Sequence, residues 1–478
     1  MKIHSYIYKF VGSGTLVGMA SALLLSSCQL GKQYVRPDLE MPRTLMQDGM
    51  GNDSATIADY SWQQVYTDTL LQSLIYKMLD YNKDLLMAGA TIKEQAALKR
   101  IEWANMFPQV GLRVYAKKEG DNYGGDAYDS DNQVDLKGTI SWELDLWGKL
   151  RWSRDASLAD FLGSIENRRA LQMSLIARVA QSYFELVALD NELSIVRQTV
   201  DARRESLHLA RIRYEGGLTS EVAFRQAQVE LARTSTLVPD LERQITLKEN
   251  ELAFLTGDYP HEIRRAPLPQ EVNFPASLPV GLPSTLLERR PDVREAEQAL
   301  RAAYAEVGVA YTSMFPSLSL TSQLGAESDE VKNILESPYH LIAGTLLQPI
   351  FGFGKNRARL KARKAARERA TYAYEKAVLT AFRDAYDAIA TFNKMKEIYQ
   401  TRYSLEQSSK SSLELAQLQY VNGAIGYMDL LDAQRTYLDA QIGLSNALRD
   451  RQLAMVNVYK ALGGGWSLDM EATIQRTR

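Results

Sequence analysis

The sequence repeats itself at an offset of 206 residues, and this repeat constrains the fold more than any other feature. Residues 213–217, Arg-Tyr-Glu-Gly-Gly, return as residues 419–423, Gln-Tyr-Val-Asn-Gly. Residues 147–149, Trp-Gly-Lys, return as residues 353–355, Phe-Gly-Lys. A constant offset over so long a stretch indicates that one structural unit was duplicated. Each half of the chain must therefore contain the same parts.

Composition excludes several classes of function. The 478 residues include 56 basic and 58 acidic side chains, so the chain lacks the excess of positive charge that is typical of nucleic-acid binding. Four His and one Cys leave little material for a metal site or a thiol enzyme. The sequence contains no phosphate-binding loop, dinucleotide fingerprint, zinc-protease motif or serine-hydrolase motif. We therefore expect no enzyme activity, no metal and no cofactor.

The N-terminus has the pattern of a lipoprotein precursor. Lys2 and Lys9 supply positive charge, an apolar run follows, and residues 25–28, Leu-Ser-Ser-Cys, end it. We predict a signal peptide at 1–27 and diacylation of Cys28, which would anchor the mature chain in lipid. An ordinary signal peptide with an incidental Cys is the alternative. No other segment reaches 18 apolar residues, so a membrane crossing would have to use strands.

Four segments have the two-residue periodicity of strands, two in each half of the chain. In the first pair, at about 108–145, Val110, Leu112 and Val114 alternate with polar or small residues. The second pair spans about 315–349, and its last strand alternates poorly. About 9–11 tilted residues span a bilayer, and long polar loops are typical of the outer side of membrane strands. A soluble sheet with two faces is the alternative.

Long helices are predicted for the rest of each half. The chain from about 152 to 214 contains no Pro, and apolar residues recur every seven positions from Val179 to Tyr214, a spacing typical of coiled coils. A helix of this length would measure about 95 Å. The short break at Gly216 predicts an antiparallel helical hairpin at 152–256, and the repeat predicts a second one at 355–462. Pro239 should kink its helix or open the hydrogen-bond ladder there.

These elements divide the chain into six segments. They are a signal peptide (1–27), a lipidated extended segment (28–68), repeat unit 1 (69–257), a Pro-rich connector (258–283), repeat unit 2 (284–463) and a C-terminal tail (464–478). Each repeat unit contains a leading helix, two strands and a helical hairpin. The leading helices are predicted at about 69–106 and 283–314.

Four strands in one chain cannot close a barrel, and an open strand edge in lipid would leave backbone groups unpaired. Two chains would supply eight strands, whose interior is filled by side chains. Three chains would supply twelve strands, wide enough for a pore. Three chains with two units each would also form a ring of six near-equal hairpins, which gives the duplication a physical reason.

The chain resembles the outer membrane factor family, the TolC-like efflux ducts, and within it the lipoprotein branch of NodT or OprM type. The match covers essentially the whole mature chain, and it depends on the order and spacing of several short motifs. Those motifs are residues 34–37 (Tyr-Val-Arg-Pro), 82–85 (Asn-Lys-Asp-Leu), 290–293 (Arg-Pro-Asp-Val), 348–351 (Gln-Pro-Ile-Phe), 430–435 (Leu-Leu-Asp-Ala-Gln-Arg) and 462–466 (Leu-Gly-Gly-Gly-Trp).

The resemblance implies an α+β membrane protein that assembles as a homotrimer. Its twelve-stranded transmembrane β-barrel, four strands per chain, would continue through a mixed equatorial region into a long periplasmic α-helical coiled-coil barrel. Such a protein would be the passive exit duct of a tripartite efflux system, anchored in outer-membrane lipid. Its partners would be a periplasmic adaptor (membrane fusion) protein and an inner-membrane pump of RND type. An outer-membrane channel for type I protein secretion and a structural coiled-coil lipoprotein are the alternatives.

The resemblance also implies a closed aperture at the hairpin end of the second unit. Carried over, its residues would be Met428 as an apolar constriction, Asp432 and Arg435 as a charged ring, and Tyr420 beside them. The first unit has Val222, Gln226 and Val229 where the second has Met428, Asp432 and Arg435, so the charges belong to one unit only. A solvated surface pair between Asp432 and Arg435 is the alternative. Relatives often carry Arg where this chain has Gln419, so we expect no latching bond from that position.

The turns between the hairpin helices match the places where the family's adaptors bind. They comprise Gly216, Gly217, Leu218, Thr219, Gly423, Ala424, Ile425 and Gly426. Simple turn chemistry, with Gly at positive φ, is an alternative that is compatible with adaptor contact. An exposed Leu218 or Ile425 in such a turn would need a partner to cover it.

Overall fold

The computed structural model describes residues 29–40, 42, 56–121, 129–267, 279 and 283–466. The predicted signal peptide and the lipidation site Cys28 lie outside these residues. Most of the predicted connector and of the C-terminal tail also lie outside them.

The described residues contain one succession of elements twice. In the first half these are α1 (Trp62–Val65), α2 (Thr69–Tyr81), α3 (Lys83–Ala104), β1 (Gln109–Asp121), β2 (Asp129–Leu144), α4 (Lys149–Glu215), α5 (Glu221–Ser235) and α6 (Leu237–Leu255). In the second half they are α7 (Pro283–Arg289), α8 (Pro291–Thr312), β3 (Ser317–Ser328), β4 (Pro338–Leu347), α9 (Lys355–Val421) and α10 (Tyr427–Ala461). Short 3₁₀ helices form at Ile57–Asp59 and Val331–Glu336.

Two pairs of corresponding helices have equal lengths in the two halves. Helices α3 and α8 have 22 residues each, and α4 and α9 have 67 each. Helix α10 has 35 residues, and its counterpart is divided into α5 and α6. The division falls at Thr236, three residues before Pro239, so the predicted disturbance by that proline is confirmed.

Each predicted leading helix is interrupted, and the prediction of one continuous helix was wrong in both halves. Asn82 separates α2 from α3 because its Oδ1 accepts the backbone N–H of Leu85 at 3.0 Å, while its Nδ2 donates to the Leu255 carbonyl at 2.8 Å. Arg290 separates α7 from α8, and Pro291 then occupies the first position of α8, where a missing N–H costs nothing.

The four strands form one antiparallel sheet in the order β1-β2-β3-β4. Val110 and Leu112 of β1 are 78% and 75% exposed, whereas Asp135 and Lys137 of β2 are buried. Lys137 Nζ lies 2.6 Å from a carboxylate oxygen of Glu327 on β3. An exposed apolar face and a buried polar face are the reverse of what a soluble sheet shows, which argues against the soluble alternative.

Contacts divide the chain into two compact units. Of the described residues, the first contains 29–39, 90–121, 129–165 and 295–376, with the four strands. In it the Trp152 indole donates to the Leu30 carbonyl at 2.8 Å, and Arg36 pairs with Glu297 at 3.0 Å, which explains part of the 34–37 motif as packing. The second unit contains the described residues within 40–89, 166–294 and 377–466.

No helix in the described part of the chain is both long enough and apolar enough to cross a membrane. Within the same residues, no group of three or more His, Cys, Asp or Glu side chains is arranged to hold a metal ion.

Candidate functional site at the hairpin ends

Both long helices end in the same turn. The Leu218 N–H donates to the Arg213 carbonyl at 2.8 Å, and the Ala424 N–H donates to the Gln419 carbonyl at 2.9 Å. Gly217 and Gly423 have φ of 68° and 76°, the left-handed conformation that such helix ends require. Turn chemistry therefore accounts for these two glycines, and adaptor contact at the turns stays a prediction.

An apolar cluster packs the ends of four helices together within the second unit. Its buried members are Ala210, Ala223, Ala227, Tyr420, Tyr427, Leu430 and Leu431. The rings of Tyr420 and Tyr427 meet edge to face, with centroids 5.8 Å apart. Burial raises the pKa of both phenols, which therefore stay neutral. Tyr420 is only 3% exposed, so in this chain it contributes packing between the hairpins.

A charged cluster lies beside this core, centred on Glu230 of α5. Arg203 of α4 lies 3.2 Å from Glu230, and both side chains are buried. Arg435 of α10 donates a hydrogen bond to the same carboxylate from the second hairpin. The buried carboxylate of Glu230 therefore bridges the two hairpins.

The electrostatics of the cluster follow from this geometry. The hydrogen bond from Arg435 lowers the pKa of Glu230 against the opposing effect of burial, so the carboxylate is ionised at neutral pH. Burial lowers the pKa of Arg203, and the hydrogen bond to Glu230 raises that of Arg435. The Nε and Nη1 of Arg203 are buried without a hydrogen-bond partner among the described residues. Removing Glu230 would thus leave a buried cation without its counter-charge.

Two further contacts cross between the hairpins. Arg213 donates from Nη1 to the Tyr420 carbonyl at 3.2 Å, and its guanidinium lies 4.9 Å from the centroid of the Tyr420 ring. Gln434 donates to the Ser206 hydroxyl at 3.1 Å. Arg213 is the counterpart of Gln419 in the first repeat. A hydrogen bond between the hairpins therefore comes from this position in the first repeat, whereas none was expected from Gln419 in the second.

A cavity of about 400 Å³ opens between α5 and α10. It is lined by Glu221, Val222, Arg225, Gln226, Val229, Glu230, Met428, Leu431 and Arg435. Met428, Val222 and Val229 are more than half exposed there, so the apolar positions of one repeat face those of the other. Asp432 is exposed but does not line this cavity.

The structure brings together only part of the predicted gate. Met428 and Arg435 share the cavity, whereas Tyr420 lies in the apolar cluster and Asp432 lies at the surface. No ion pair joins Asp432 to Arg435 in the described part of the chain, because Arg435 turns to Glu230. Besides the hydrogen bond to Glu230, the nearby charge of Asp432 still raises the pKa of Arg435, and the role of the two residues in a gate stays a prediction.

Sequence reasoning missed Arg203 and Glu230. A signal was present in the repeat itself, since the counterparts of these residues at the 206-residue offset are Ser409 and Thr436. An acid and a base that appear together in one copy and are both absent from the other predict a pair. Their helices are joined by the turn at 216–220, so the pairing was accessible from the sequence.

Of the two apolar side chains at the turns, only one is uncovered. Leu218 is 72% exposed, whereas Ile425 is partly buried and packs against the apolar cluster. Ile425 is therefore not an exposed side chain at its turn, because the apolar cluster partly covers it. Of these two side chains, only Leu218 is an exposed apolar group of the kind that a partner protein would cover.

Comparison with known proteins shows which protein family has this combination of paired helical hairpins and a four-stranded sheet. The chain belongs to the outer membrane efflux protein family, whose model matches residues 74–258 and 282–464, one segment in each half. The resemblance stated from the sequence is confirmed. The family is one of transport channels and not a class of enzymes.

Individual relatives match over nearly the whole chain. The cation efflux system protein CusC of Escherichia coli O6:H1 is 29% identical over 459 residues, covering 94% of this chain and 98% of CusC. Outer membrane protein OprJ of Pseudomonas aeruginosa is 31% identical over 469 residues, covering 95% and 96%. The chain is an efflux channel protein of the outer membrane.

Solved structures agree with the fold. The outer-membrane channel OprN superposes with a TM-score of 0.86 at 28% identity, covering 92% of this chain and all of that one. The open state of the MtrE outer membrane channel of Neisseria gonorrhoeae gives a TM-score of 0.83 at 30% identity, covering 92% and 98%. The succession of elements described above is thus that of outer-membrane channels.

Proposed function

We propose that three copies of this chain form the passive exit duct of a tripartite efflux system. The observation that carries the proposal is the sheet, whose apolar face is exposed and whose strands β1 and β4 each have only one neighbouring strand among the described residues. Unpaired edges are not tolerated in lipid, and three such sheets would supply each other's missing neighbours in a twelve-stranded barrel. The helical hairpins would then line a tunnel in the periplasm.

The anchor is the second part of the proposal. Cys28 would carry acyl chains and hold the mature N-terminus at the outer membrane. SilC of Salmonella typhimurium, 29% identical over 467 residues, is described as a probable outer membrane lipoprotein, which supports this assignment.

Cargo would be small molecules selected by the pump rather than by the duct. Three relatives that are 29–30% identical to this chain are named for cations, for antibiotics and for toluene. The sequence of the duct therefore does not indicate which cargo it exports. An RND-type pump in the inner membrane and a periplasmic adaptor would deliver it. The exposed Leu218, with the adjoining turn residues of both hairpins, would contact the adaptor.

The closed state would be held at the hairpin ends. Met428 would narrow the opening, and Asp432 and Arg435 would place charged side chains around it. Tyr420 would hold these helix ends in position by its packing in the apolar cluster. The bond from Arg435 to Glu230 would fasten the second hairpin to the first. Rings of charge at such an aperture would restrict ions until the adaptor displaces the hairpins.

The test is purification of the mature chain followed by planar-bilayer recording. We expect a trimer that requires detergent, that migrates differently in gels after heating, and that conducts ions when inserted. The proposal fails if the Cys28→Ser protein stays soluble without detergent and neither protein conducts.

A further inference from the structure

Helix α9 begins with a dense run of positive charge that the proposed function does not use. Between 355 and 369 the chain has eight basic residues and a single acidic one, Glu368. Two of the eight have partners, since Arg363 pairs with Glu306 and Arg367 lies 5.0 Å from the centroid of the Tyr304 ring. The other six are exposed and form no ion pair with the described residues; they are Lys355, Arg357, Arg359, Lys361, Lys364 and Arg369. We refer to these six as the basic segment.

The duplicate of this helix shows that the charge is no requirement of the fold. At the start of α4, Lys149 lies 3.0 Å from Glu143, and Arg151 lies 3.0 Å from Asp145. Lys149 and Arg151 correspond to Lys355 and Arg357, and Asp155 of α4 is replaced by Lys361 in α9. The first repeat therefore neutralises the positions that the second leaves charged.

An uncovered apolar segment directly precedes the basic segment. It comprises Leu346, Leu347, Ile350, Phe351 and Phe353, whose side chains are 64–95% exposed. The rings of Phe351 and Phe353 lie 4.7 Å apart, so the two phenylalanines form one exposed aromatic surface. Such a surface at the end of a strand needs a partner to cover it.

The same region contains a cavity of about 290 Å³ between the strand ends and the first turns of α9. Trp147, Phe315 and Leu347 contribute apolar walls, and Lys149 and Arg359 contribute positive charge. The acidic residues of its lining include Glu143 and Asp145, which already pair with basic residues of α4. Aromatic and apolar side chains therefore meet one basic side chain without an ion pair to the described residues, Arg359 of the basic segment, next to the ends of β2, β3 and β4.

We infer that the basic segment and the apolar segment before it bind anionic phospholipid headgroups at the boundary of the membrane. The aromatic and aliphatic side chains would enter the interface, and the long basic side chains would reach the phosphates. Basic residues near an anionic surface are attracted additively, so the second repeat would fix the height of the sheet in the bilayer. This inference rests on the proposed insertion of the sheet into a membrane.

The test compares lipid binding by the full mature chain and two variants. Native mass spectrometry of the detergent-solubilised protein would measure its affinity for phosphatidylglycerol and for phosphatidylcholine. The variant carries Lys355→Gln, Arg357→Gln and Lys361→Gln, and we expect it to bind phosphatidylglycerol roughly a hundredfold more weakly, with phosphatidylcholine unaffected. The control removes three exposed charges further along the same helix, Lys396→Gln, Arg402→Gln and Lys410→Gln, and should keep the wild-type affinity.

A competition experiment distinguishes binding of a phospholipid from binding of any phosphate anion. Inorganic phosphate at the same concentration should not compete, because it lacks the acyl chains that the apolar segment covers. Wild-type affinity in the Lys355/Arg357/Lys361 variant, or an equal loss in the control, would overturn the inference. So would a changed ion selectivity in neutral bilayers with unchanged lipid binding, since that places the charges on the conduction path. Conductance of the wild-type preparation tests the duct separately.

Discussion

Glu230 shows how much depends on a single side chain at the hairpin ends. It is buried between Arg203 of its own repeat and Arg435 of the other, and Arg203 has no other counter-charge in the cluster. The two arginines differ in their surroundings, since the side chain of Arg203 is 4% exposed and that of Arg435 is 42% exposed. Loss of the shared acid and loss of the exposed base should therefore have different consequences.

Glu230→Gln should destabilise the hairpin ends far more than Arg435→Gln. The first change leaves Arg203 as an uncompensated buried charge, which costs about 3–5 kcal/mol. The second keeps the Arg203–Glu230 pair and removes a half-exposed partner, which costs about 1 kcal/mol. Denaturant unfolding of the detergent-solubilised protein measures both. Glu221→Gln, which breaks an exposed pair with Arg225, is the matched control and should change little. Equal losses in the two test variants would contradict this account of the cluster.

The charge on Glu230 also predicts a dependence on pH. The pKa of Glu230 is lowered from its ordinary 4.5, so its stabilising contribution is fully present above pH 4.5 and is lost as pH falls through the lowered value. The stability difference between wild type and Glu230→Gln should stay constant from neutral pH down to about 4.5 and shrink only below it. Unfolding midpoints of the two proteins across this range test the prediction. A difference that disappears near neutral pH would show that the ion pair does not form.

At the scale of elements, the ends of the helices are set by backbone conformation and by distant partners. The turns at Gly217 and Gly423 were predictable, because paired glycine-rich breaks at the repeat offset indicate helix ends. The interruptions at Asn82 and Arg290 were missed. The break at Arg290 has a local cause in Pro291, which disfavours helical backbone at the residue before it, whereas the side chains of both residues are also held by carbonyls far away in the chain. Asn82 donates to Leu255, 173 residues on, and Arg290 donates to Ala461, 171 residues on. Local periodicity carries no information about such partners.

The same substitution should have opposite effects at two glycines. Gly423→Ala places a side chain at φ of 76° with open space around it, so only backbone strain acts, and we expect a loss of about 1 kcal/mol. Gly89→Ala, in the interior of α3 and equally free of neighbours, should stabilise by about 0.5–1 kcal/mol. Unfolding midpoints of the two variants compare them directly. Stabilisation by Gly423→Ala would mean that the turn does not adopt this conformation.

At the scale of the whole chain, the duplication supplies equal parts, and the two copies differ at the candidate site. The sequence was sufficient for the four strands, the two hairpins and the family, because these depend on periodicity and on motif order. It was not sufficient for the contacts that join the hairpins. Arg435 and Glu230 lie 205 residues apart, and only folding shows that Arg435 leaves its neighbour Asp432 for that partner. The candidate gate is therefore shared between the repeats, although its predicted charges came from one of them.

The most direct test of the gated duct is single-channel recording of the wild-type protein and of the double variant Asp432→Ala with Arg435→Ala. Removing both side chains takes away the proposed ring of charge and the bond that fastens the second hairpin to the first. We expect a low wild-type conductance and a clear increase in the variant, with Arg225→Ala at the rim of the same cavity as a control that stays near wild type. An unchanged conductance in the double variant, from a protein that still inserts and conducts, would place the aperture elsewhere in the molecule.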